Sequence, residues 1–130
     1  MQLANPTPSR EMLKNISVLY VEDDPNVSKQ LSRFLRKAVG SVYVAANGQE
    51  GLESYKQYKP YVVITDIRMP ILNGLELAKS IREIDQDVPI IVTTAFNEQE
   101  YFLKAIDTKI YRTEVQRLAT AVVNQMMGEK

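Results

Sequence analysis

The sequence predicts an α/β domain built around a doubly wound parallel sheet. Short apolar runs without polar alternation, typical of strands buried on both faces, recur along the chain. Amphipathic stretches with helical spacing separate these runs, which favours helices packed on both faces of one sheet. The chain has 130 residues, of which 45% are hydrophobic and 25% charged, so it has the size and composition of a single globular domain with a full core.

Four apolar runs rich in β-branched and aromatic residues predict the strands. They are residues 16–21 (ISVLYV), 42–46 (VYVAA), 61–65 (YVVIT) and 89–93 (PIIVT). A stretch with helical periodicity follows each of them, so the predicted order is β-α-β-α-β-α-β-α. Parallel strands with such connections expose their functional groups beyond the carboxyl ends of the strands.

Capping residues mark where the helices are expected to begin. An N-cap side chain accepts a hydrogen bond from the first turn, and a glutamate three residues later can complete a capping box. The sequence has such signals at Asp24 before Pro25, at Asn47 with Glu50, and at Asn97 with Glu100, while Asn73-Gly74 suits a turn into the third helix. These four positions predict four helix starts, one after each strand.

The C-terminal segment has two interpretations. Residues 90–127 contain no glycine and no proline. The apolar residues beyond the fourth strand fall at steps of one, three or four. This spacing favours one long helix over residues 98–127. The competing interpretation is a short strand at residues 109–112 and a helix from Thr113. If a fifth strand is missing, the fourth strand has an exposed edge, which a homodimer through the C-terminal helix could protect.

Composition excludes several classes of function. The sequence contains no cysteine and no histidine, which removes disulfides, thiolate and imidazole metal ligands, cysteine nucleophiles and the commonest general base. The formal net charge is zero, so we expect no nucleic-acid partner. No apolar run approaches a membrane span, and no secretory signal is present. We expect a cytoplasmic protein with a flexible arm at residues 1–14 and one domain at residues 15–130, of which 107–130 are atypical.

Acidic side chains follow two of the predicted strands. Glu22, Asp23 and Asp24 come after the first strand, Asp66 after the third, and the hydroxyl of Thr94 after the fourth. If the first and third strands are neighbours, these groups converge, and their charges disfavour one another unless a cation binds. Oxygen ligands alone favour Mg²⁺. Such a site suits phosphoryl transfer to a carboxylate, although for Asp24 alone helix capping is the better interpretation.

These residues resemble the receiver (response-regulator) domain of bacterial two-component signalling. The similar stretches are VLYVEDDP, NGQEGLESYKQYKPYVVITDIRMPILNGLEL and PIIVTTAF, all within residues 16–106. The middle stretch is the most specific, because it combines Asp-X-X-Met-Pro with a following Asn-Gly. The resemblance implies a flavodoxin-like sheet with strand order 2-1-3-4, in which the fifth strand is in doubt.

The resemblance also implies a role for each site residue. Asp66 is the phosphoacceptor and a Mg²⁺ ligand, and Glu22 and Asp23 match the acidic pair, with Asp23 favoured as the direct ligand. The main-chain carbonyl of Arg68 matches a further Mg²⁺ ligand, and Thr94 matches the hydroxyl that follows the phosphoryl group. The phosphoryl donor would be a histidine kinase or phosphotransfer protein. The chain would not be an enzyme beyond assisting its own phosphorylation and dephosphorylation.

The sequence departs from the family pattern in its C-terminal part. The family carries a lysine followed by proline beyond the threonine, whereas counting without gaps leads here to Gln116, and Lys109 has no following proline. The absence of this lysine and proline favours an alternative function, in which the domain is a degenerate receiver that acts as a binding or dimerisation module. A third hypothesis, an aspartyl phosphatase of the haloacid dehalogenase type, needs a second aspartate at the position of Arg68.

Overall fold

A computed structural model describes residues 13–97, 100–105 and 113–126. The elements are β1 (Ser17–Val21), α1 (Pro25–Ala38), β2 (Ser41–Ala45), α2 (Gly48–Tyr58), β3 (Val62–Asp66), α3 (Gly74–Ile84), β4 (Ile90–Asn97), β5 (Glu100–Ala105) and α4 (Thr113–Met126). Within these ranges, no helix has both the length and the apolar character required to cross a membrane. The predicted arm lies outside the described residues except for its last two positions.

One five-stranded sheet of order β2-β1-β3-β4-β5 organises the domain. The pairs β1–β2, β1–β3 and β3–β4 are all parallel, so the predicted doubly wound parallel sheet of order 2-1-3-4 is confirmed. Val21 at the end of β1 is in register with Ala45 on one side and with Thr65 on the other. Three strands therefore end at the same level, and the residues that follow them share one edge of the sheet.

The sheet separates two apolar cores. Because side chains alternate along a strand, Val18 and Tyr20 of β1 contribute to the first core, whereas Leu19 and Val21 contribute to the second. Helices α1 and α4 cover the first core, and α2 and α3 cover the second. Four of the five residues of β1, Val18 to Val21, are completely buried, which makes this strand the rigid centre from which the adjacent acidic residues are positioned.

The helix caps predicted at Asp24 and Asn47 are confirmed, and Asn73, predicted to lie in a turn before the third helix, is the cap of that helix. The side-chain oxygens of Asp24, Asn47 and Asn73 accept hydrogen bonds from the amides of Val27, Glu50 and Glu76 at 3.1, 2.9 and 2.8 Å. Asn73 and Glu76 form a complete capping box, because the Glu76 carboxylate also accepts from the Asn73 amide at 2.9 Å. Each of these helices consequently begins at a position fixed by the local sequence.

The prediction of one long helix over residues 98–127 is wrong. β5 pairs with β4 as an antiparallel neighbour, and Asn97 and Glu100, predicted to cap a helix, face each other in this pair. The segment EYFLKA contains aromatic residues that suit a strand, and the free edge of β4 offers it a row of backbone partners, so tertiary pairing overrides the helical spacing. β5 also covers the edge of β4 that was expected to be exposed.

The competing interpretation of the C-terminal segment is supported at its second element. Helix α4 begins at Thr113, as that interpretation predicted. The short strand predicted at residues 109–112 lies outside the described residues. β4 itself extends to Asn97, four residues beyond its predicted end, because it has β5 as a partner.

Candidate functional site

Three carboxylates meet at the ends of the two central strands. Glu22 and Asp23 directly follow β1, and Asp66 is the last residue of β3. Since Val21 and Thr65 are in register, the next residues of the two strands lie side by side. One carboxylate oxygen from each of the three acids lies within 4.8 Å of the others. The structure therefore brings together the acidic residues that the sequence analysis assigned to one site.

Glu22 is the buried member of this cluster. Only 7% of the residue is exposed, and its Oε2 accepts a hydrogen bond from the Asp24 amide at 3.1 Å. Burial, followed by the negative charge of Asp66, raises the pKa of Glu22 from 4.5 to about 7, although the Asp24 amide acts in the opposite direction. The fold thus holds a carboxylate where its charged form is disfavoured.

Asp66 is half-buried and experiences the same crowding. Burial is the main cause that raises the pKa of Asp66 from 3.8 to about 6, and the charge of Asp23 adds to the rise. The amide of Ile67 and the charge of Arg68 partly compensate. A site that concentrates carboxylate oxygens against their own repulsion and offers only oxygen ligands fits a hard divalent cation such as Mg²⁺.

The loop after β3 forms the wall of an open pocket beside the acids. The pocket is lined by Asp23, Ile67, Arg68, Met69, Pro70 and Asn73. Met69 is only 9% exposed and packs in the second core, so its side chain anchors the loop to the interior. Arg68 lines this pocket and is exposed. The role of its main-chain carbonyl as a ligand stays a prediction.

Gly74 allows the loop to close tightly on the end of β3. A Cβ atom at this position would lie 2.1 Å from the carbonyl oxygen of Asp66. The Gly74 amide donates a hydrogen bond to the carbonyl of Ile67 at 2.9 Å. Only glycine permits this close approach, so the start of α3 directly supports the backbone that carries Asp66.

The comparison with known families agrees with this geometry. The family model for the response regulator receiver domain matches residues 18–113, and these include all three acids and the pocket loop. The chain belongs to the response regulator receiver domain family. It is therefore a phospho-receiver module of two-component signalling, and the family resemblance expected from its sequence is confirmed.

Several known proteins are similar to this receiver domain. Chemotaxis protein CheY of Thermotoga maritima is 39% identical over 90 residues, which cover 68% of this chain and 75% of that protein. Transcriptional regulatory protein PrrA of Mycobacterium tuberculosis is 38% identical over 78 residues, which cover 60% of this chain and 34% of PrrA. The region shared with PrrA thus spans about a third of that relative's length.

A solved complex contains a similar receiver domain. In the co-crystal structure of the Saccharomyces cerevisiae histidine phosphotransfer signalling protein Ypd1 with the receiver domain of Ssk1, the similar chain has a TM-score of 0.58 and 30% sequence identity. The match covers 66% of this chain and 68% of that chain. The Ssk1 receiver domain therefore forms a complex with a phosphotransfer protein.

Thr94 lies within β4 of the receiver domain and not after its end. Its Cα is opposite that of Phe102 in the β4–β5 pair, while the placement of its side chain lies outside the described part of the chain. The preceding residue, Thr93, is in register with Asp66. The Thr93 hydroxyl is buried and donates a hydrogen bond to the Thr65 carbonyl at 3.4 Å. Thr93 is therefore structural, and the role of Thr94 stays a prediction.

Sequence analysis missed one polar group beneath the acidic cluster of the receiver domain. Tyr20 is completely buried, and its hydroxyl has no hydrogen-bond partner among the described residues. Burial raises the pKa of Tyr20 well above its usual range, and the charges of Glu22 and Asp66 add to this rise. The available signal was the position of Tyr20, whose phenol lies among the aliphatic residues of β1. Tyr20 precedes the site residue Glu22 by two positions, so the two side chains point to the same face of the strand.

Proposed function

We propose that this domain accepts a phosphoryl group on Asp66 from a histidine kinase or phosphotransfer protein, with Mg²⁺ held by Glu22, Asp23 and Asp66. The observation that carries the proposal is the convergence of these three carboxylates within 4.8 Å at the ends of β1 and β3. Family membership supports the same assignment. The complex of Ypd1 with the Ssk1 receiver domain supports a phosphotransfer partner for this chain.

The proposed reaction is an in-line transfer from a phosphohistidine of the partner to Asp66. A carboxylate oxygen of Asp66 forms a bond to phosphorus while the bond from phosphorus to the partner's imidazole nitrogen breaks, and the electron pair of that bond leaves with the nitrogen. Bound Mg²⁺ would offset the negative charge of the phosphoryl oxygens. Because Asp66 is half-buried beside an open pocket, its carboxylate is both held in place by the strand and accessible to a donor.

Two further residues complete the proposed site. The carbonyl of Arg68 would be a main-chain ligand of Mg²⁺, and the hydroxyl of Thr94 would donate a hydrogen bond to the transferred phosphoryl group. The domain would act as a signalling module in the cytoplasm and would catalyse only its own phosphorylation and dephosphorylation. Its output would be a changed surface for another protein, without direct contact to nucleic acid or membrane.

Phosphorylation by acetyl phosphate tests the proposal. In the presence of Mg²⁺, the intact mass of the wild-type chain should increase by one phosphoryl group, and Asp66→Asn should abolish this gain without unfolding the protein. Asp23→Asn should weaken Mg²⁺ binding and slow the labelling. Glu83→Gln is a suitable control, because Glu83 is an exposed acid on α3 outside the cluster and should label normally. Labelling of Asp66→Asn would show that the acceptor is a different residue.

The alternative is a degenerate receiver that acts as a binding or dimerisation module through its C-terminal helix. The departure from the family pattern at Gln116 favours it, whereas the complete acidic cluster opposes it. β5 covers the edge of β4, and Val115, Leu118 and Val122 of α4 are buried within the chain. A homodimer would therefore have to use another face of α4, and it stays a prediction.

A further inference from the structure

The hydroxyl of Tyr20 is a buried polar group that the proposed phosphoryl transfer does not use. Tyr20 lies in β1 and packs in the first core among aliphatic side chains such as Leu31, Leu35 and Ile64. Its hydroxyl oxygen is inaccessible to solvent and has no hydrogen-bond partner in the described part of the chain. Since nearly all buried polar groups have partners, an unpaired one calls for an explanation.

The surroundings of this hydroxyl identify its acceptor. Residues two apart on a strand point to the same face, and Tyr20 precedes Glu22 by two. After burial, the charge of the Glu22 carboxylate is the largest cause that raises the pKa of Tyr20, and a hydrogen-bond interaction between the two side chains adds to the rise, although the pair falls outside strict hydrogen-bond geometry. The Asp24 amide holds Glu22 Oε2 at 3.1 Å. The other oxygen, Oε1, is thus available to a second donor.

We propose that Tyr20 is a positioning residue for the Mg²⁺ site, whose hydroxyl donates a hydrogen bond to Glu22 Oε1 when the carboxylate turns toward the cation. This inference rests on the Mg²⁺ site in the proposed function. Each oxygen of a carboxylate can accept more than one bond, so Glu22 can contact the cation, the Asp24 amide and Tyr20 together. Donors of this kind fix the orientation of a metal-binding side chain, and their loss typically weakens metal affinity by about 10- to 100-fold.

Tyr55 provides a matched control within the same chain. Like Tyr20, it is almost completely buried, with 2% of the residue exposed. Its hydroxyl, however, donates a hydrogen bond to Asp85 Oδ2 at 2.8 Å, and the residue packs in the second core, on the other face of the sheet. Tyr55→Phe therefore removes a buried phenol oxygen that contributes to stability and lies away from the acidic cluster.

Calorimetric titration with Mg²⁺ alone, on the 130-residue chain first treated with EDTA, tests the inference. We expect Tyr20→Phe to weaken Mg²⁺ binding about 10-fold while unfolding at the same urea concentration as the wild type or a higher one. Tyr55→Phe should bind Mg²⁺ with wild-type affinity and unfold at a lower urea concentration. Unchanged Mg²⁺ affinity of Tyr20→Phe would overturn the inference and leave the hydroxyl as an unpaired group of the core.

The tyrosine absorption of the folded wild type gives a second measurement that does not require the variant to fold. Mg²⁺ should perturb the near-ultraviolet spectrum of the wild type and of Tyr55→Phe, because the Tyr20 phenol gains a hydrogen bond. The absence of a perturbation in both would overturn the inference. These measurements distinguish failure of this inference from failure of the proposed Mg²⁺ site. If the proposed site is wrong, the wild type does not bind Mg²⁺. If only this inference is wrong, the wild type binds Mg²⁺ and Asp23→Asn weakens that binding.

Discussion

Ile71 holds the loop after Asp66 in a strained backbone conformation. Its φ angle is 72°, and the Leu72 amide donates a hydrogen bond to the Pro70 carbonyl at 2.8 Å, which closes a three-residue γ-turn around Ile71. A β-branched residue is unfavourable at positive φ, and a γ-turn of this sign is rare. The side chain is 76% exposed, so little packing offsets the strain. Such strain is typical of loops that shape a functional site.

Replacing Ile71 with a residue that tolerates positive φ should stabilise the domain. Ile71→Asn should raise the free energy of unfolding by about 1 kcal/mol, because asparagine tolerates positive φ better than a β-branched residue does. Urea denaturation measures this difference. Ile84→Asn serves as the control, since Ile84 is also exposed, at 44%, but lies at the end of α3, and it should give no gain. A lower stability of Ile71→Asn would mean that the side chain makes contacts that outweigh the strain.

At the scale of elements, one polar contact joins α2 to the end of α3. The hydroxyl of Tyr55 in α2 donates to Asp85 Oδ2 at 2.8 Å, and the Asp87 amide donates to Asp85 Oδ1 at 2.8 Å. The hydrogen bond from Asp87 is the largest of the causes that lower the pKa of Asp85, and the one from Tyr55 acts in the same direction. The carboxylate at the C-cap of α3 is therefore favoured in its charged form when the chain is folded.

This contact predicts a pH-dependent contribution to stability. A carboxyl group whose pKa is lower in the folded state than in the unfolded state stabilises the protein above its unfolded pKa, and this contribution disappears as the pH falls through the folded pKa. Asp85→Asn should therefore be less stable than the wild type at neutral pH, and the difference should shrink as the pH falls below the ordinary value of 3.8. Urea denaturation at a series of pH values measures it.

The companion variant Tyr55→Phe separates the two donors to Asp85. It removes the hydroxyl but leaves the Asp87 amide in place, so it should lose stability at neutral pH and retain part of the pH dependence seen in the wild type. A stability difference between Asp85→Asn and the wild type that stays constant from neutral to acid pH would contradict the proposed linkage.

The elements that could be predicted from sequence are those with a local signal. The N-caps at Asp24, Asn47 and Asn73 act within a few residues, and the apolar runs of the parallel strands need no knowledge of their partners. β5 could not be predicted in this way, because the decision between helix and strand for residues 100–105 depends on the free edge of β4, which only the assembled sheet supplies. The same limit applies to Tyr20, whose hydroxyl is unusual only because the fold buries it.

The acidic site was predictable for a related reason. Its residues follow strands, and parallel strands place their carboxyl ends at one edge, so fold class alone brings Glu22, Asp23 and Asp66 together. The conformation of the loop was not predictable, because the positive φ of Ile71 contradicts the preference of its side chain. The close contact of Gly74 with the Asp66 carbonyl likewise depends on where α3 begins in space.

At the scale of the whole molecule, helix α4 completes the first core. Val115, Leu118 and Val122 are completely buried and pack against residues of α1 and of the central strands. Helix α4 is thus a structural part of the domain. It follows β5 in sequence and packs on the face of the sheet opposite to α2 and α3. Its apolar face has a partner within the same chain.

Truncation of Leu118 tests whether this face stabilises the single chain or an assembly of two. Leu118→Ala should lower the free energy of unfolding by about 2–5 kcal/mol, because it leaves a cavity in the first core. Leu75→Ala on α3, where Leu75 is 50% exposed, should have a small effect.

If the burial is within one chain, the unfolding temperatures of the wild type and of Leu118→Ala should not depend on protein concentration, since only unfolding coupled to dissociation obeys mass action. Light scattering at the same concentrations should then give the mass of one chain. Two results together would overturn burial within one chain: a mass of two chains, and an unfolding temperature that rises with protein concentration in the wild type but not in Leu118→Ala.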